Sequence, residues 1–451
     1  MGSQSLSYGA DAAADWYTVF RSDAIQQLVQ AAVATNPDLE AARHALRAAQ
    51  YELRAVAGSA LPQLELDGRV SRSRVNGSFL YQPIENLQAT ANQFNIGPTL
   101  AYDLDVFGRI RRTIESQAAQ TSQVQHQTLN VYITVVDQVV LTAFDYAATV
   151  EQIEVTRQLV DELQEQYKLT STLESAGKIT RSDTLQAQSQ LESTRATLPA
   201  LQKQQDVYRN ALLRLTGATP QGGSIPELTL RDFSLPPQLP VSLPSQLVRQ
   251  RPDILAAEDA LHQASARVGV AEALRLPSID ISGEYAQQSS RTSDLFTRAG
   301  GIWTAGASLS APIFEGGRLS AREKEAKERF QQAAAQYRST VIGAFAEVAN
   351  ALQALQHDSD GYLSHSAALD AARANRDLAR AQFQQGKVSE LVVLTAEQQY
   401  QNATLSQVQA DVQRFTDVAA LFHALGGGWW NAKDPILTPQ VKYDLGETRH
   451  E

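Results

Sequence analysis

The sequence predicts an α+β membrane protein: a trimeric, 12-stranded transmembrane β-barrel with four strands per chain, continued by a long α-helical barrel and built from a tandem internal duplication. Three observations carry this. Two very long segments lack proline and are almost free of glycine, a stretch of period-two alternation precedes each of them, and the surrounding motifs recur at fixed offsets.

The duplication comes first, because a missed repeat misassigns the whole fold. Asn36-Pro37-Asp38-Leu39 returns as Arg251-Pro252-Asp253-Ile254, and Leu61-Pro62 as Leu276-Pro277, both at an offset of 215 residues. Gly108-Arg109-Ile110 returns as Gly317-Arg318-Leu319, Gly177-Lys178-Ile179 as Gly386-Lys387-Val388, and Gly217 as Gly426, now at an offset of 209. The change of offset places a six-residue shortening between the two blocks, in the region where Ser71 to Gln93 is answered by a shorter segment around Gln287 to Gly301.

These landmarks set the organisation. Residues 1–35 form an N-terminal extended or anchoring segment, 218–250 an equatorial linker and 427–451 a C-terminal tail. Repeat 1 spans 36–217 and repeat 2 spans 251–426. Each opens with a short helix that ends where a proline disfavours helix in the residue before it. Each then changes period to two: Leu64, Leu66 and Val70, then Phe94, Ile96, Leu100, Tyr102 and Leu104, alternate with polar residues, as do Ile279, Ile281 and Tyr285. This places β-hairpins at about 63–107 and about 278–314. Trp303, Tyr285, Tyr102 and Phe94 are an interfacial aromatic belt or ordinary strand aromatics. The long helices run over about 109–175 and 318–385, each roughly 100 Å at 1.5 Å per residue. Gly177 and Gly386 close them, and Thr180 and Ser389 cap the return helices, which run over about 181–216 and 389–425.

Composition excludes several classes. The chain is 43% apolar but only 7% aromatic, with no cysteine and Met1 as its one methionine, which favours long helices with thin seams over a thick core. A net charge of −10 without a basic face argues against a nucleic-acid partner. No run of about 18 apolar residues predicts a transmembrane helix. The opening Met1-Gly2-Ser3 has no basic and apolar leader, which leaves a cytosolic protein or a chain without its export signal. Ala176-Gly177-Lys178-Ile179-Thr180 fails as a phosphate loop, because Thr172 stands where glycine is required. His357, Asp358, Asp360 and His365 read as a polar interruption of a helix rather than a metal site. Neither a catalytic motif nor a cofactor is expected.

Two hairpins give four strands, short of the roughly eight in the smallest closed membrane barrels, so the chain should oligomerise, and a trimer supplies twelve. At this point the residues resemble the TolC-like outer-membrane factors, from about Asp15 to Trp430. The motifs are the two repeat openings, Ala60-Leu61-Pro62, Arg275-Leu276-Pro277, Tyr102-Asp103-Leu104-Asp105-Val106-Phe107-Gly108-Arg109, Pro312-Ile313-Phe314-Glu315-Gly316-Gly317-Arg318, the tip glycines and Ala424-Leu425-Gly426-Gly427-Gly428-Trp429. Asp-Val-Phe-Gly-Arg and Leu-Gly-Gly-Gly-Trp look most like the lipoprotein branch serving resistance-nodulation-division pumps.

The resemblance implies a passive homotrimeric exit duct in the bacterial outer membrane, in contact with its lipid, with the helical barrel in the periplasm. An adaptor protein and an inner-membrane pump would open it to export drugs or other small toxic compounds. A type I protein-secretion duct or a soluble coiled-coil scaffold are the alternatives. That branch carries an N-terminal lipid anchor on a cysteine, which this chain lacks. Carried over by position, Gly177, Lys178, Gly386 and Lys387 form the adaptor-contacting tips. Leu391, Val392, Thr395, Glu390, Asp183 and Arg181 form the periplasmic gate. Leu391 falls at a constricting leucine, although seam packing also accounts for it. Val392 and Thr395 replace aspartates that form an acidic ring in many relatives, while Phe383 and Val388 replace a latching tyrosine and arginine. Asp183, Arg181 and Glu390 are therefore expected to share a substitute latch.

Overall fold

The computed structural model describes residues 5–76, 88–241 and 244–432. The remainder of the C-terminal tail, the turn of the first hairpin and the first four residues lie outside the described residues. The chain divides into two compact units, one of Leu46–Val124 with Ala256–Arg338, the other of Met1–Ala45, Gln125–Leu255 and Ser339–Glu451.

The first, or sheet unit, holds β2 (Gln63–Asn76), β3 (Gln88–Asp103), β5 (Ser278–Ser289) and β6 (Gly301–Ser310) in one antiparallel sheet of order β2-β3-β5-β6. Its register collects one class of side chain on each face. Leu64 opposes Leu100, Val70 opposes Phe94, Tyr102 opposes Ile281, Tyr285 opposes Trp303 and Ile279 opposes Leu309. The intervening positions oppose Glu65 to Thr99, Thr99 to Glu284, Asp280 to Ser308 and Glu284 to Thr304. Directly opposed residues share a face, so one side of the sheet is apolar and the other polar. The apolar side is not covered: Leu66 is 73% and Trp303 74% exposed.

The strand-to-helix turn explains a motif. In the first copy Asp105 sits at φ 46° and Gly108 at φ 79°. The Asp105 carboxylate accepts from the Ile110 and Arg111 amides, capping α3 (Arg109–Ser175), while Asp103 pairs with Arg109 at 2.7 Å. In the second copy Gly316 and Gly317 take the positive φ, and Glu315 pairs with Arg318 at the start of α8 (Arg318–Gln384). Asp-Val-Phe-Gly-Arg is thus a folding signal that ends a strand and starts a helix.

The second, or helical unit, contains α1 (Asp23–Thr35), α4 (Arg181–Arg195), α5 (Leu198–Leu215), α6 (Pro244–Gln250), α9 (Glu390–Ala424) and the later parts of α3 and α8, together with β1 (Ser5–Tyr8) paired in parallel with β4 (Gln238–Val241). Its core is aromatic: Trp16 stacks on Phe422, and Phe20, Phe144, Phe233 and Phe415 cluster around one another. The segment expected to be extended over 1–35 is therefore folded over much of its length, with a short 3₁₀ helix at Trp16–Phe20 and then α1, because it supplies Trp16, Phe20, Ile25 and Leu28 to this core. The 218–250 linker likewise contributes Phe233 and Leu239. One stretch of α3 is apolar enough by composition to cross a membrane, but Val135 to Ala147 bury against this core instead.

The ends of the return helices are held alike. α2 (Pro37–Gly58) follows α1, and the Asn36 side chain ahead of it donates to the Leu215 carbonyl and accepts from the Leu39 amide. Ahead of α7 (Pro252–Ala273), the Arg251 guanidinium donates to the Ala424 carbonyl and pairs with Asp253 and Glu347, each at 2.7 Å.

One expectation is corrected. The return helix expected to run unbroken over about 181–216 is two helices, α4 and α5, separated at Ala196-Thr197. Pro199 has no amide to donate back along the helix, and its ring clashes with the preceding turn, so it sits in the first turn of α5, where no donor is needed. The equivalent α9 lacks a proline and is continuous over Glu390–Ala424.

Candidate functional site

Two helical hairpins end side by side in the helical unit. Both turns are built the same way: Gly177 and Gly386 take φ 70° and 69°, and the next lysine amide returns to a carbonyl five residues back, Lys178 to Leu173 and Lys387 to Gln382, each at 2.9 Å. This hydrogen-bonded closure needs a left-handed residue, hence glycine. Gly177, Lys178, Gly386 and Lys387 are all exposed at these turns.

Within each hairpin the seam is apolar. Leu159, Val160 and Leu163 of α3 pack on Leu191 of α4, and Ala379 and Phe383 of α8 pack on Val393 and Ala396 of α9. At the start of α9, Val393, Leu394, Ala396 and Glu397 are buried, while Leu391 (57% exposed), Val392 (45%) and Thr395 occupy the outer face. The Thr395 hydroxyl is turned back to the Leu391 carbonyl at 2.8 Å. These three side chains carry no charge.

Among the described residues of one chain, no hydrogen bond or ion pair joins Asp183, Arg181 and Glu390. The Asp183 carboxylate accepts from the Thr180 amide at 2.9 Å and from its hydroxyl at 2.8 Å, a capping box that satisfies the start of α4 and leaves the group committed locally. Arg181 is exposed and forms no ion pair with Asp183 or Glu390 among the described residues.

Instead, the hairpins are tied by groups that sequence reasoning missed. Arg380 of α8 donates to Glu162 of α3 at 2.6 Å and to Glu397 of α9, so one guanidinium joins three helices. Arg376, one turn away, lies 3.9 Å over the Tyr400 ring and 3.7 Å from Glu162. Nearer the turns, Gln166 of α3 donates to the buried Glu390 at 2.5 Å. Burial pushes the Glu390 carboxyl above the usual range, the Gln166 hydrogen bond opposes this, and Asp183 and Glu397 add to it. Burial also raises Glu397, with Arg380 pulling against it. For Arg380, burial disfavours the charge, but Glu162 and Glu397 outweigh that and hold its pKa above normal. A signal was available: reflecting the sequence about Val388-Ser389 sets Arg380 opposite Glu397 across the hairpin.

A four-stranded sheet with one exposed apolar face, two edges unpaired among the described residues, and paired helical hairpins define a class: membrane-channel subunits. The sequence model of the outer membrane efflux protein family matches residues 28–218 and again 243–427. The chain belongs to this family: it is an outer-membrane channel protein of efflux. It is 30% identical over 418 residues to the cation efflux system protein CusC of Escherichia coli O6:H1, covering 92% of this chain and 88% of that protein. It is 28% identical to the outer membrane protein OprJ of Pseudomonas aeruginosa, covering 94% and 88%. Among solved structures, the outer-membrane channel OprN superposes with a TM-score of 0.85 at 28% identity, covering 93% of this chain and 94% of that one. The open-state MtrE channel of Neisseria gonorrhoeae gives 0.82 at 26%, covering 93% of each.

Proposed function

We propose that three copies of this chain close a twelve-stranded barrel in the outer membrane, continued by a helical barrel, and form the passive exit duct of a tripartite efflux system. The observation that carries this is the sheet: its apolar face is exposed, its polar face bears Glu65, Asp67, Asp280 and Glu284, and β2 and β6 are left as open edges among the described residues. Open edges in lipid leave backbone groups unpaired, and closure with copies of the same sheet removes them. The polar face then lines water and the apolar face meets lipid.

A tandem duplication accounts for the double family match and for the parallel roles of Asn36 and Arg251 at the ends of α5 and α9. The exposed turns at Gly177-Lys178 and Gly386-Lys387 are the surface for a periplasmic adaptor, itself coupled to an inner-membrane pump of the resistance-nodulation-division type. The closed tip is held by Arg380 between Glu162 and Glu397, and Leu391, Val392 and Thr395 form its uncharged constriction. The names of relatives span cation, antibiotic and toluene efflux. A passive tube discriminates by width and lining charge, so small toxic compounds chosen by the pump are the cargo.

The absence of cysteine allows a direct test. Pairs of single cysteines introduced along β2 and β6 should form, on oxidation, a covalent species of three chains and no larger ladder. A covalent dimer or an unlimited ladder would refute the closed trimer.

A further inference from the structure

The hairpin turns lie at the end of the sheet opposite to the one from which α3 and α8 leave, and that end is basic. Its described residues, 71–76, 88–93 and 290–300, include Arg72, Arg74, Arg291 and Arg298 against the single acid Asp294, in a chain of net charge −10. By sequence the intervening turn, 77–87, adds only Glu85. Two of these arginines share the apolar face. Along β2, Leu64, Leu66 and Val70 alternate with Glu65, Asp67 and Arg69, and Arg72 and Arg74 continue the phase of the leucines. Both are exposed, and they oppose Asn92 and Thr90 of β3, whereas Arg69 opposes Asn95 on the polar face.

Their depth follows from strand geometry. From Leu64 to Arg74 the strand rises about 34 Å, which at a barrel tilt of about 35–45° is roughly 24–28 Å of height. The lipid-facing apolar band of such barrels is about 25 Å tall. Arg72 and Arg74 therefore fall at the far rim of that band, where a long side chain keeps its stem in hydrocarbon and carries its charge to the headgroups.

We propose that Arg72 and Arg74 bind the phosphate groups of outer-leaflet lipid. The inference rests on the barrel reading above, which puts α3 and α8 on the periplasmic side and this end of the sheet outward. A guanidinium presents a planar pair of donors that matches two phosphate oxygens. The surplus of arginine at this end draws an anionic headgroup towards it. No acid competes from the same face of the hairpin: the partners across β3 are Asn92 and Thr90, and Glu65 and Asp67 project from the other side. The occupant is a lipid rather than a free anion, because the arginines continue a face formed by Leu66, Val70 and Phe94, which acyl chains cover.

The test is native mass spectrometry of the full chain in detergent, titrated with bisphosphorylated lipid A and, separately, with the same acylated disaccharide lacking both phosphates. The wild-type trimer should prefer the phosphorylated lipid by roughly 25-fold, at about fivefold per arginine. Arg72→Gln with Arg74→Gln should remove that preference. Arg69→Gln, which takes a charge from the polar face, should change it less than about twofold. Equal binding of the two lipids by the wild type, or a loss in Arg69→Gln as large as in the double variant, refutes the site while the trimer mass leaves the barrel standing. Displacement of the lipid by inorganic phosphate at equal concentration would mark a plain anion site and refute it as well. A wild-type chain that stays monomeric in the same spectra removes the barrel, and this proposal with it.

Discussion

Of the described glycines in the sheet, Gly97 leaves the least room for a side chain. A Cβ there would lie 2.1 Å from the Tyr285 carbonyl oxygen and 2.5 Å from the Ala286 Cα, both backbone atoms of β5 that cannot swing aside. Gly97→Ala should therefore push β3 from β5 and cost on the order of 1–3 kcal/mol, seen as a lower unfolding temperature in detergent. Gly68→Ala, with open space around its Cβ, is the control and should be nearly silent. Arg251 matters for another reason. Its buried guanidinium serves the Ala424 carbonyl and two carboxylates, and Arg251→Ala leaves all three without it. The expected loss is about 2–3 kcal/mol by denaturant unfolding followed through Trp429, whose ring nitrogen donates to the neighbouring Gln250 carbonyl.

At the scale of elements, the tip hairpins set a coupling experiment. Arg380→Ala strands Glu397, buried and already raised in pKa by its surroundings, whereas Arg380→Ala with Glu397→Gln removes the stranded charge. The single variant should open the tip more readily, with higher closed-state conductance in planar bilayers, and the double variant should recover part of that loss; additive effects would rule out a coupled pair. The elements themselves were largely legible. Helices without proline, strands of period two and turn glycines leave strong local signals, and the motif around Asp105 marks a real strand-to-helix turn. The break before α5 was hidden because Pro199 lies inside an otherwise helical pattern of leucines. The tie between hairpins was hidden for a different reason. Asp183 and Arg181 are close in sequence to the turns, but Asp183 is consumed by its own N-terminal cap, whereas Glu162 and Arg380 meet across 218 residues of chain, a contact no local pattern encodes.

For the whole molecule, the proposed trimer makes the sheet one third of a closed wall. Its alternation, its open edges and its exposed aromatic and aliphatic face have no stable fate in an isolated chain. Single-particle electron microscopy of the detergent-purified protein tests this most directly. The expected result is a threefold particle in which β6 of each chain pairs with β2 of the next around a detergent-belted, twelve-stranded barrel. A twofold or filamentous particle, or one that is soluble without detergent, would contradict it.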